Sequence, residues 1–251
     1  MSVVRKTPAF LVAALAVGSG LTLGAVPASH AAGARTVQAQ AATSLAGHRW
    51  RHTVQVDGKG GRDAVVIIGG KDLTLDSFNQ GTGHISIRVH LANTRRTLSA
   101  SRQVFGYLSV RRPWTPWLGA TNLDHRGGKE LLLGFTTGAH TQSFNVLHDR
   151  AGRLRALGAP RPTSWLVNSS FGTGSFGWRC TTTGVQSRSV FPSGGSPTYR
   201  IVRNRYVWRT GGWVRTGHVA RTVAADAQGN PPASTNDFPR FLCRGLPRNI
   251  L

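Results

Sequence analysis

Acidic residues are what this chain has least of. Nine Asp and Glu stand against 31 Lys and Arg over 251 residues, a formal net charge of +22. Four of the acids sit in a repeated loop. Asp72, Asp76, Asp149, Asp226 and Asp237 make up the rest, at no spacing that suggests a two-carboxylate glycosidase site. Histidines number nine, but none forms an HExxH or similar metal motif, and no GxSxG elbow occurs. Long apolar runs are absent beyond the N-terminal region, so nothing later in the chain predicts a membrane-spanning helix. Helical periodicity is missing too. The 31 glycines instead fit a turn-rich β protein.

The N-terminus reads as a secretory signal over residues 1–31. Arg5 and Lys6 precede an apolar core over about 9–26, and Ser29-His30-Ala31 places small residues where a signal peptidase reads them. Residues 32–46, rich in Ala, Gly, Gln, Ser and Thr, read as a disordered linker. An all-β domain is expected over 47–251. In an exported chain the two cysteines, Cys180 and Cys243, predict a disulfide that stabilises by about 4 kcal/mol on the loop-entropy model. It would tie a C-terminal part, 160–251. The expected location is secreted and extracellular, possible wall association included. The charge excess attracts polyanions: wall polymers, phospholipid headgroups, acidic glycans or stray nucleic acid. The basic residues are spread over the chain and form no basic arm.

From His48 onward short alternating runs predict strands. These include Thr53–Val56, His84–Leu91, Gln103–Val110, Ser143–Leu147, Thr198–Val202, Tyr206–Arg209 and Val219–Val223. Gly69-Gly70, Gln80–Gly83, Asp149–Gly152 and Thr210–Gly212 read as turns between antiparallel strands. Trp114 and Trp117, in a Pro-rich connector, pack over a sheet end or line a sugar groove. The first is the favoured reading. Tyr199, Tyr206, Trp208 and Trp213 alternate with Arg and suggest a sheet with one aromatic and one basic face.

One nine-position loop occurs twice, 67 residues apart: Gln55-Val-Asp-Gly-Lys-Gly-Gly-Arg-Asp63 and Asn122-Leu-Asp-His-Arg-Gly-Gly-Lys-Glu130. Each runs into an apolar stretch. The unit resembles the FG-GAP/VCBS-type repeat of integrin-like β-propellers, whose loop D-x-D-G-D-G-x-x-D gathers carboxylates around Ca²⁺. The resemblance covers about 48–110 and 115–157. It implies four-stranded, blade-like antiparallel sheets in a small or incomplete β-propeller. The third position keeps its acid, Asp57 and Asp124, and so does the ninth, Asp63 and Glu130. The first is Gln55 and Asn122. The fifth is Lys59 and Arg126, a cation where a divalent ion would face it. The expectation is a metal-free loop in which Lys59 bridges Asp57 and Asp63, and Arg126 bridges Asp124 and Glu130. If the basic head turns to solvent, two carboxylates and an amide leave a weak Ca²⁺ site.

No catalytic residue is assigned and no cofactor is implied. Three functional readings stay open: a non-enzymatic exported module that binds an anionic surface polymer or a protein, a purely structural wall-associated protein, and an extracellular hydrolase. The last would gather His140 with acids such as Asp149 or Asp226. The first is preferred.

Overall fold

The computed structural model describes residues 42–109, 111–170, 174–194 and 197–248. The expected signal and most of the expected linker lie outside the described residues. The linker's last residues do not behave as linker. Thr43–Ser44 forms strand β1, and Leu45 donates its N–H to Leu73 O at 2.9 Å while its side chain packs on the core.

The remaining strands are β2 (Arg49–Val54), β3 (Asp63–Gly69), β4 (Thr74–Leu75), β5 (Gln80–His90), β6 (Thr97–Leu108), β7 (Trp117–Thr121), β8 (Glu130–Thr137), β9 (Thr141–Asp149), β10 (Leu154–Ala156), β11 (Leu166–Asn168), β12 (Ser175–Cys180), β13 (Val185–Pro192), β14 (Thr198–Arg209), β15 (Gly212–Ala224) and β16 (Phe241–Leu242). The fold is all-β. Every pairing is antiparallel except that of β12 with β16.

The first repeat forms an antiparallel run β2-β3-β5-β6, and the short strands β4 and β1 extend that sheet from β5 to six strands; the second repeat forms β7-β8-β9-β10. Period-two alternation sets the faces. In β5 it buries Ile85, Ile87 and Val89 and exposes the residues between them. Strand β8 has no such alternation, because Leu131, Leu132 and Leu133 are all fully buried. The second sheet is larger. β11 pairs with β9 beside β10, β12 to β15 continue from it and β16 adds to β12, so ten strands join and curl into a half-barrel.

The sheets meet through aromatic side chains seated on glycines. Tyr107 of β6 lies over Gly134 of β8, where a Cβ would stand 2.2 Å from the ring. Trp114 lies over Gly81 in the same way. Trp50 Nε1 donates to Trp114 O at 3.0 Å, and Trp114 Nε1 donates to Tyr107 O at 3.2 Å, so each indole N–H is satisfied inside the core. Trp114 and Trp117 are thus packing residues, buried with this cluster. Trp114 also accounts for a departure from the sequence reading. Gln80–Gly83 is not a turn but the start of β5, bulged between Gly81 and Gly83, where the missing side chain admits the indole.

Cys180 and Cys243 form the expected disulfide, which joins the end of β12 to the residue after β16. A Gly134→Ala substitution is expected to cost about 1–3 kcal/mol by overpacking against Tyr107, a Tm loss of about 2–4 °C per kcal/mol. Gly212→Ala, which meets no atom within 4 Å, serves as the control and should leave Tm nearly unchanged in thermal melts.

Candidate functional site

The two repeated loops occupy equivalent places, β2 to β3 and β7 to β8. Their internal hydrogen bonds repeat at the same offset as their sequences. Lys59 N donates to Asp57 Oδ1 at 2.8 Å, and Arg126 N donates to Asp124 Oδ1 at 2.9 Å. Val56 N donates to Asp63 Oδ2 at 2.7 Å, and Leu123 N donates to Glu130 Oε2. Ala92 N takes the second oxygen of Asp63 at 2.9 Å. In the first position, Gln55 Nε2 donates to Gly60 O at 3.1 Å, whereas Asn122 Oδ1 is buried without a partner.

The carboxylates therefore hold backbone N–H groups. The expected bridges from Lys59 to Asp57 and Asp63, and from Arg126 to Asp124 and Glu130, are not formed within 4.0 Å among the described residues. The physical reason is reach. An Asp side chain finds the N–H two residues on without ordering a long cationic side chain. Asp63 has both oxygens committed to backbone N–H groups, and no group of three or more His, Cys, Asp or Glu among the described residues is placed to hold a metal.

The loops also pack on each other. Gly58 (φ 71°) sits where a Cβ would lie 2.5 Å from Gly127 C, and one on Gly128 would lie 2.0 Å from Val56 O. Lys129 N donates to Gln55 O at 3.1 Å across the junction. A small pocket of about 80 Å³ opens beside it, where Asp57, Asp124, Glu130, His148 and Asp149 stand with Arg126 and Arg150. Here two buried acids separate. Burial pushes Glu130 up to about 8, helped by the charge of Asp124 and opposed by the Leu123 N–H bond. Burial acts to raise Asp124 as well, but His148 beside it and the Arg126 N–H hold its carboxyl below the ordinary value.

A larger feature lies on the concave face of the curled sheet. From β9 and β10 across to β15 runs a cleft of about 1040 Å³. Strand register sets its floor. Ser187 of β13 faces Asn204 of β14, which faces His218 of β15. The three form a polar row, with Asn204 Nδ2 donating to Ser187 Oγ at 3.5 Å and Asn204 Oδ1 2.7 Å from His218 Nδ1. Trp208 and Trp213 pair across the β14–β15 hairpin with ring centroids 5.2 Å apart, edge to face. That hairpin turns on Thr210 and Gly211, both with positive φ. Trp213 Nε1 donates to Gly158 O at 2.8 Å, which fixes its ring at the cleft wall. Phe176, Phe191 and Tyr206 add apolar surface. Arg150, Arg161 and Arg215 add charge, and no carboxylate lines the cleft.

The suggested aromatic face is thus formed by Tyr206, Trp208 and Trp213. Tyr199 is the exception: it lies on the opposite face with Val190, Ile201 and Phe238, its hydroxyl donating to Gly229 O at 2.8 Å. Sequence reasoning found the tryptophans but missed the Ser187–Asn204–His218 row. The runs read as strands, Thr198–Val202, Tyr206–Arg209 and Val219–Val223, stop short of Asn204 and His218, and only the register of β13, β14 and β15 sets the three residues opposite one another. The residues suggested for a hydrolase are not brought together. His140 is exposed in the β8–β9 turn, Asp149 lines the small pocket, and Asp226 lines another cavity near the C-terminal segment. Compared with known family models, curated proteins and solved structures, the chain matches none.

Glu130 gives a pH prediction. Its folded form holds a proton up to about pH 8, while the unfolded form releases it near the ordinary glutamate value of 4.5. Folding therefore binds a proton in this window, and stability falls as pH rises from about 4.5 to about 8. Glu130→Gln removes that loss. Its Tm should exceed that of the parent at pH 8.5 by more than at pH 5, and an equal difference at both pH values would reject the assignment.

Proposed function

We propose that the protein is an exported, non-enzymatic binding module built on degenerate FG-GAP/VCBS-type repeats, and that its cleft takes an anionic cell-surface polymer. The observation that carries this reading is the lining of the cleft. Indole and phenyl faces suit the C–H faces of sugar rings, Ser187, Asn204 and His218 suit hydroxyls, and Arg150, Arg161 and Arg215 suit carboxylate or phosphate groups. The absence of any carboxylate from the lining leaves that positive charge for a ligand. Support for the repeat resemblance comes from the two loops, which share two carboxylate-to-amide hydrogen bonds and a place between paired antiparallel strands. In this reading the loops are metal-free turns that join the repeats.

Retention on isolated cell walls tests the proposal. Binding should weaken strongly between about 0.1 M and about 1 M salt, as the screening length falls from about 10 Å to about 3 Å. Trp208→Ala with Trp213→Ala should weaken it at both salt concentrations. Retention that ignores both salt and the tryptophans would reject the cleft. For the loops, millimolar Ca²⁺ should leave Tm unchanged, and a clear rise would restore a calcium site.

A further inference from the structure

A second cavity, separate from the cleft, surrounds the disulfide. It measures about 760 Å³, and Arg179, Arg240, Arg244 and Arg248 stand on its walls with Cys180 and Cys243. A neighbouring cavity of about 630 Å³ shares Cys180, Arg244 and Gly245 and continues to Lys129 and His125. No carboxylate lines either one. None of the four arginines has a carboxylate within 4.0 Å among the described residues. Like charges gathered this way repel one another, so their backbone must be held by something else.

It is held at several points. β16 pairs in parallel with β12, setting Phe241 beside Trp178 and Leu242 beside Arg179. Trp178 N donates to Arg240 O at 2.8 Å. Gly177 admits the passing backbone, since a Cβ there would lie 1.9 Å from Phe238 O. The disulfide follows at Cys243. Beyond it, Gly245 is pressed against β7, where a Cβ on Gly119 would lie 2.6 Å from Gly245 O. The segment therefore lies between β7 and β12 with its guanidinium groups left free.

We propose that this cavity is a second binding site, specific for a chain of phosphate groups. Guanidinium forks bind phosphate oxygens in pairs, and four of them around one cavity suit successive phosphates better than a single carboxylate. The aromatic residue that lines the cavity, Phe241, is buried in the core and offers no stacking face. The site consequently reads charge and spacing and neither sugar faces nor nucleobases, which divides the labour with the cleft. Because Cys180 and Cys243 form its wall, the site depends on the disulfide.

Titration of the intact protein with linear inorganic polyphosphate tests this. Arg240→Gln with Arg244→Gln should weaken binding at least about tenfold and reduce the salt slope by about 1 per arginine. Trp208→Ala with Trp213→Ala should leave polyphosphate binding intact, so loss of this site and loss of the cleft are told apart. Reduction of the disulfide should weaken polyphosphate binding as the arginine changes do. Unchanged affinity in the double-arginine variant, with its Tm preserved, overturns the proposal. Tighter binding of single-stranded DNA than of polyphosphate at equal phosphate concentration also overturns it, in favour of a nucleic-acid site.

Discussion

The hydrogen bond from a backbone N–H to a carboxylate is the interaction on which this structure rests. Asp57, Asp63, Asp72, Asp76, Asp124, Glu130 and Asp226 each accept one. Asp237 does otherwise and takes the buried Arg188, with Nη1 to Oδ2 at 2.6 Å. In a chain with so few acids, nearly all of them shape loops. The loop amides need an acceptor, and an ionised carboxylate is the strongest available, its charged hydrogen bonds being about twice as strong as neutral ones; Glu130, protonated up to about pH 8, accepts as a neutral carboxyl. This use of the acids leaves the arginines uncompensated.

That division sets the two halves of the chain apart in character. The N-terminal repeats are joined by close backbone approach, with Gly58, Gly127 and Gly128 at the loop junction and Gly134 under Tyr107. The C-terminal strands are wider, more exposed and richer in Arg. Their convex face is covered by a returning segment in which Phe238 packs on Val190 and Ile201 and lies under the guanidinium groups of Arg188 and Arg203. The concave face stays open. An accessible cleft and a covered back follow from the same curled sheet.

The parts of this fold that depend on neighbours along the chain were legible in the sequence. The offset of 67 residues located two loops that share their two carboxylate-to-amide bonds, and alternation located most of β5 and β14, the middle of β9, the second half of β6 and the last part of β15. Legibility failed where a distant residue decided the outcome. Gln80–Gly83 carries two glycines and reads as a turn, yet Trp114, more than thirty positions on, turns it into a bulged strand. Lys59 and Arg126 stand beside acids in sequence and suggest ion pairs, but the backbone amides are nearer and need no side chain to be ordered. The cleft draws on residues from His148 to His218, and only the curl of the sheet makes them neighbours. The disulfide was inferred from parity alone, and what it surrounds was invisible until β16 was seen to pair with β12.

The same disulfide encloses a stretch of chain with a sequence separation of 63, and that stretch contains β13, β14, β15 and the turns between them. The polar row and both tryptophans of the cleft lie within this covalent ring. A protease that nicks one exposed turn there, at Thr210–Gly212 or near Gly229, opens the ring without dividing the molecule. The two new ends stay joined through sulfur and through the strands on either side. Damage that would release a fragment from an open chain leaves this one in a single piece with its cleft assembled.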